Sequence, residues 1–210
     1  QGIYVLDTIA LAPQWDLNLG LRLDHYDTSS VGVNTNGAFN VGRNDTFLNY
    51  QTGLVYKPAA NGSVYAAYST SSNPSGGSSG EGGDEGSLST TTDSLKPEEN
   101  VTYELGTKWD VLNSRLSLAA AVFRTEKENA RVSGINNTAE NLPVGKQRVD
   151  GFEIGASGNL TDKWKLFGGY TFLKSKIVDD GPNAANDGNK FPNIAPHNVS
   201  LWTTYDLTTD

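Results

Sequence analysis

Along residues 15–26, WDLNLGLRLDHY, apolar and polar side chains alternate with a period of two. Trp15, Leu17, Leu19, Leu21 and Leu23 fall on one face, and Asp16, Asn18, Gly20, Arg22 and Asp24 on the other. A helix would mix these sets, because its period is 3.6, whereas a strand sends successive side chains to opposite faces. The pattern recurs. Residues 100–110 set Val101, Tyr103, Leu105, Thr107 and Trp109 against Thr102, Glu104, Gly106, Lys108 and Asp110. Residues 47–56 set Leu48, Tyr50, Thr52, Leu54 and Tyr56 against Phe47, Asn49, Gln51, Gly53 and Val55. Residues 151–157 and 198–207 repeat it, and no window of ten residues carries a convincing amphipathic helix. Nine strands are predicted, at roughly 2–11, 14–27, 45–58, 62–71, 99–110, 114–128, 146–159, 162–178 and 197–208. Several reach the ~9–11 residues that a tilted strand needs to cross a bilayer. An ordinary strand of a soluble domain has about 5–6.

The connections alternate as well. Short ones are expected at 12–13, 58–61, 111–113 and 160–161, and long ones at 28–44, 72–98, 129–145 and 179–196. Tight periplasmic turns opposite long external loops are the habit of outer-membrane barrels, and a soluble sandwich has no reason to lengthen its loops at one end only. The predicted fold is therefore all-β: an antiparallel, up-and-down transmembrane β-barrel segment of about nine strands. Residues 73–94, NPSGGSSGEGGDEGSLSTTTDS, are too rich in Gly and Ser to offset ordering entropy by burial, so 72–98 is expected to be a flexible external loop. Trp15, Tyr26, Tyr56, Tyr68, Trp109, Trp164 and Tyr205 lie near strand ends, where an aromatic girdle would meet the membrane boundary.

Composition narrows the classes further. The 210 residues carry a formal net charge of −8, which argues against a nucleic-acid binder that works by neutralising phosphate. With no Cys there is no disulfide framework, and the usual structural zinc sites are disfavoured. The mean hydropathy of −0.45 and the lack of an 18-residue apolar run exclude a transmembrane helix. They do not exclude a barrel, which hides its apolar residues in alternation. The absence of Met leads us to expect a processed chain or a fragment, and residues 1–11 have neither the basic start nor the apolar core of a signal peptide.

Residues 95–110, LKPEENVTYELGTKWD, resemble a segment of TonB-dependent outer-membrane receptors. RLSLAAAVFRTEKENAR at 115–131, GKQRVDGFEIGASG at 145–158 and HNVSLWTTYD at 197–206 continue the likeness in order, and 1–70 carries it more faintly in YVLDTIAL and WDLNLGLRLDHYD. The sequence most resembles the barrel of ferric siderophore receptors of the catecholate type. The resemblance implies a 22-stranded, plugged barrel, of which 1–210 would be an internal part, without the plug and the remaining strands. It implies active iron uptake across the outer membrane by gated translocation, with no catalysis. The implied partners are a ferric siderophore of the catecholate class, outer-membrane lipid, and the TonB complex through N-terminal regions outside this chain. Nucleic acid is not among them. No cofactor is expected on the protein, because iron(III) arrives inside its siderophore. From the residue pattern alone a passive porin and, more remotely, a soluble β-rich adhesin remain open; only the family phrases separate them.

Enzyme signals are poor. His25 and His197 stand near external strand ends, and Asp24, next to His25, points to the opposite face. No GxSxG or HExxH is present. Asp179, Asp180, Asn183, Asn186 and Asp187, and separately Glu81, Asp84 and Glu85, read as solvated loop surface rather than a calcium site, because EF-hand spacing is missing. A ferric catecholate is anionic, so the resemblance points to cations and aromatics at the external end: Arg124, Lys127, Arg131, Lys146, Arg148, Lys174 and Lys176, with Tyr170, Phe172 and Phe191 close in sequence. A lumen-facing set that would touch a plug or water comprises Asp16, Asn18, Arg22, Asn49, Gln51, Glu104, Lys108 and Glu153.

Overall fold

The computed structural model describes residues 1–34, 37–74, 96–133, 141–181 and 184–208; the side chains of 34, 131–133 and 141–144 lie outside that description. Nine strands follow one another: β1 (Gly2–Ala12), β2 (Trp15–Asn34), β3 (Gly37–Ala59), β4 (Gly62–Asn73), β5 (Glu98–Val111), β6 (Leu116–Ser133), β7 (Asn141–Asn159), β8 (Trp164–Asp179) and β9 (His197–Tyr205). Each pairs antiparallel with the next in a single sheet ordered β1 to β9, so every connection joins neighbours. A 3₁₀ turn at Ala184–Asn186 is the only helical element among the described residues.

Two of the predicted long loops are largely strand. The β2–β3 ladder climbs to Asn34 opposite Gly37, and the β6–β7 ladder to Ser133 opposite Asn141. Beyond the bilayer a hairpin needs no apolar face, so the period-two signal fades while the pairing continues. Val31, Val33 and Val41 still favour extended backbone there. Tight turns close the other end. Leu112, Asn113 and Ser114 all have positive φ, 55°, 58° and 62°.

The sheet has no two-layer core. Only Phe47, Leu116, Ala121 and Ala130 are buried apolar residues among those described, while Leu21, Leu105, Val122, Ile154 and Leu201 stand exposed on one side. An apolar surface of this extent in water would be a liability; against hydrocarbon it is what holds a barrel in place.

Buried polarity gathers at the base of the chain segment after β4. Glu98 is 2% exposed and accepts a 2.9 Å bond from Lys127 Nζ. Beside it, Asn129 (φ 54°) sits at a bulge in β6 and donates to the Pro97 carbonyl at 3.0 Å. Asn73 lies directly opposite Glu98 in the β4–β5 ladder. Lys127 is partly open to solvent, so this ion pair is screened and works chiefly as a geometric anchor.

Candidate functional site

Register decides which side chains share a face. Opposite partners run Trp15–Tyr56, Leu17–Leu54, Leu21–Tyr50 and Leu23–Leu48 across β2–β3, then Tyr56–Val64, Val64–Thr107 and Leu105–Val122 through β6. Val122–Phe152, Ile154–Tyr170 and Tyr170–Val199 carry the same face to β9. It is apolar throughout the middle of the sheet. Near the short turns it ends in aromatics: Trp15 packs on Tyr56 with centroids 4.6 Å apart, and Trp164 Nε1 donates to Thr203 at 2.7 Å. A ring with a polar edge suits that boundary.

The other face is polar. Asp16, Asn18, Arg22, Asn49, Gln51, Glu104, Lys108 and Glu153 all fall on it by register. Asp16 pairs with Lys57, and Asn18 accepts from Thr8 Oγ1 at 2.8 Å. Tyr65 lies across Gly106, where a β-carbon would overlap its ring, and donates to Glu104 at 2.6 Å, with Lys108 Nζ 5.6 Å from the ring centroid.

At the external end of this polar face the β2–β3 hairpin assembles a group that sequence reasoning missed. Arg22 grips Asp24 with two bonds, Nε to Oδ2 at 2.6 Å and Nη2 to Oδ1 at 2.8 Å. Asp24 is buried, whereas the Arg22 side chain is 56% exposed. Arg43 also holds the Asp two residues on, its Nε donating to Asp45 Oδ1 at 2.9 Å and Oδ2 at 2.7 Å. Between them Tyr26 packs on Phe47, centroids 5.6 Å apart. Tyr26, expected in the aromatic girdle, lies opposite Asp45 and shares the polar face with Asp24. The signal was available: residue 26 has the parity of 24.

The cations expected to line a ligand vestibule are placed elsewhere. Arg124 lies opposite Tyr103 and Asp150; Asp150 opposite Lys174; Arg148 opposite Glu126 and Lys176; Tyr170 opposite Ile154 and Val199. All of these belong to the apolar face or its outward continuation. Lys146, on the same parity, donates to Glu128 at 2.8 Å, which raises its ammonium above the ordinary lysine value by that hydrogen bond and charge. Register thus places Arg124, Arg148, Tyr170, Lys174 and Lys176 on the side away from the polar face, while a bulge sets Lys146 opposite Asp179. Nearness to a loop in sequence fixes height along a strand; parity fixes the side. Arg131 has its side chain outside the described residues.

His197 joins the same outward set, 2.8 Å from the Tyr170 hydroxyl, and His25 lies 3.0 Å from Thr46 Oγ1. In the 179–187 loop the carboxylates are spent on the loop itself: Asp187 accepts from the Asp180 amide at 2.7 Å, and Asp180 from Asn186 at 2.7 Å. No group of three or more His, Asp or Glu among the described residues could hold a metal ion. Asn183, Glu81, Asp84 and Glu85 lie outside those residues.

One lipid-compatible face, one polar face, up-and-down pairing and alternating tight and long connections define an outer-membrane β-barrel protein. The chain belongs to the TonB-dependent receptor β-barrel family: the family described as "TonB dependent receptor-like, beta-barrel" matches residues 1–210. Proteins of this family are outer-membrane receptors and transporters rather than enzymes. The chain is 44% identical over 212 residues to the probable TonB-dependent receptor BfrD of Bordetella pertussis, covering 98% of this chain and 28% of that one. The crystal structure of the siderophore receptor PiuA from Acinetobacter baumannii superposes with a TM-score of 0.89 at 38% identity, covering 99% of this chain and 31% of that one. The closed form of the ferric-catecholate import receptor Fiu from E. coli K12 gives 0.82 at 31% identity, covering 100% and 32%. The chain therefore spans about three tenths of the length of these relatives.

Proposed function

We propose that residues 1–210 form part of the barrel of a receptor that imports ferric siderophores of the catecholate class. The remaining strands, the plug and the contact with TonB would be supplied by sequence outside this chain. The polar face is then the lumen. Its eight predicted residues would hydrogen-bond a plug, which must be displaced for the ligand to pass. The observation that carries the reading is the group of Arg22 and Tyr26, the latter packed on Phe47, at the external end of that face. A ferric catecholate is an anion walled by aromatic rings, and it suits the exposed Arg22 guanidinium beside the exposed Tyr26 ring. The two siderophore receptors among the relatives, one named for ferric catecholates, support the same class. Iron would stay within its chelator and take no ligand from the protein.

The full-length receptor, expressed in a strain lacking its own catecholate receptors, should restore uptake of radioactive iron supplied as a ferric catecholate. Tyr26→Ala should weaken ligand binding by roughly tenfold, and Tyr26→Phe should retain it, since the ring rather than the hydroxyl makes the contact. Uptake of hydroxamate complexes alone, or unaltered binding by Tyr26→Ala, would refute the reading.

A further inference from the structure

β1 forms one edge of the sheet: it pairs with β2, and no described strand lies on its other side. Its register with β2 fixes its two faces. Gly2, Tyr4, Leu6, Thr8 and Ala10 stand opposite Asp24, Arg22, Gly20, Asn18 and Asp16, on the polar face. Ile3, Val5, Asp7 and Ile9 stand opposite Leu23, Leu21, Leu19 and Leu17, on the apolar face, and Leu11 shares their parity. One carboxylate therefore interrupts a lipid-compatible run. Among the described residues, Asp7 is the only charged side chain on that face with apolar neighbours two positions away on both sides along its strand. It is exposed and takes part in no hydrogen bond or ion pair among those residues.

The height of Asp7 closes the usual escape to water. It is four residues from either end of the run Ile3–Leu11, about 13 Å along the strand at ~3.3 Å per residue, which an aspartate side chain cannot span. Its rung partner Leu19 is likewise at the middle of the run Trp15–Leu23. A carboxyl group held in hydrocarbon needs a partner. β2 offers none, because the side chains within reach across the ladder, Leu17, Leu19 and Leu21, are all apolar. The other flank of β1 is where a partner can stand.

We propose that the strand preceding β1 in the full-length receptor pairs with its free edge and places an arginine or lysine beside Asp7 on the lipid side, so that the ion pair latches the two strands in register within the bilayer. The inference rests on the reading that sequence outside this chain completes the barrel, and on nothing about the ligand. Every described connection joins neighbouring strands, so the preceding strand is the one that reaches this edge. A slip of two residues would set the carboxylate and the cation each against aliphatic side chains, and a slip of one would exchange the faces. Lipid around Val5, Ile9 and Leu19 supplies neither water nor salt to screen the pair.

Urea titration of the full-length receptor folded into lipid vesicles tests this. Asp7→Leu should raise the unfolding equilibrium constant at least about tenfold, Asp7→Asn, which can still accept a hydrogen bond, should raise it less, and Val5→Leu on the same face should change it less than about twofold. A carboxylate without a partner predicts the opposite sign for Asp7→Leu, because leucine suits hydrocarbon better. Each outward Arg or Lys of the preceding strand is also replaced by Leu, alone and together with Asp7→Leu. One of them should destabilise alone and add nothing further in combination. Unchanged or greater stability of Asp7→Leu, strict additivity at every such cation, a preceding strand with no outward Arg or Lys, or a loss that grows with the protein-to-lipid ratio, which would put the cation on another molecule, would overturn the proposal. A receptor with this coupling intact that imported no ferric catecholate would instead sink the transport reading alone.

Discussion

Ile154→Arg should destabilise the assembled barrel by about 2–4 kcal/mol, while Glu153→Gln, one residue away, should change stability by less than about 1 kcal/mol. The contrast follows from register alone. Ile154 lies between Ala120 and Tyr170 on the apolar face and is 52% exposed. It is five residues from the short-turn end of β7 and four from Asp150, so it sits near the middle of the apolar run. A guanidinium there must be taken from water into hydrocarbon, or must thin the bilayer around itself. Glu153 sits between Ala121 and Thr171 on the polar face and takes part in no ion pair among the described residues. Urea titrations of the full-length barrel folded into lipid vesicles measure both changes. Equal tolerance of the two substitutions would mean that the faces have been assigned the wrong way round.

Gly158→Ala should cost about 2–5 kcal/mol and slow assembly of the β6–β7 hairpin. Two independent costs combine. Gly158 has φ +140°, a region L side chains rarely enter, and leaving it for a normal conformation would break the ladder at its last turn. A β-carbon there would also overlap the Arg115 carbonyl oxygen, which already accepts the Asn159 amide at 2.7 Å. Backbone cannot yield as a side chain can, so the overpacking term adds to the torsional one. The same titration, with hairpin formation followed by the shift in gel mobility on folding, measures it. Gly155→Ala on the same strand is the companion, because a β-carbon there meets only ordinary contacts. Equal losses at 155 and 158 would show that any added methyl is costly on this strand, and would sink the argument from Gly158's conformation.

The strands within the bilayer were legible because lipid imposes a strict rule: Leu19 and Asn18 cannot exchange faces without cost. The number of strands and the alternation of short and long connections followed. Outside the bilayer the rule lapses. Hence the upper halves of β2, β3, β6 and β7 read as loops, although Val33 pairs with Ala38 and Val132 with Leu142. The sorting of Arg124, Arg148, Lys174 and Lys176 was recoverable from parity, since Leu118, Ala120, Val122 and Arg124 form one series. The Lys127–Glu98 contact, 29 residues apart, and the stacking of Tyr26 on Phe47 across two strands depend on pairing that no single segment reveals.

The opposed positions of Asn73 and Glu98 have a consequence for how such a protein can vary. The chain leaves β4 and re-enters β5 at facing rungs, and the re-entry is pinned by Lys127 and by the bond from Asn129 to Pro97. Lengthening the segment between adds only about 0.6 kcal/mol of closure entropy per doubling, and no ladder bond has to shift. A peptide epitope inserted at residue 82 should accordingly leave barrel assembly intact and be reachable by antibody on whole cells. Descendants of this sequence are free to rewrite that segment, and with it whatever it meets outside the cell, at almost no risk to the wall that carries it.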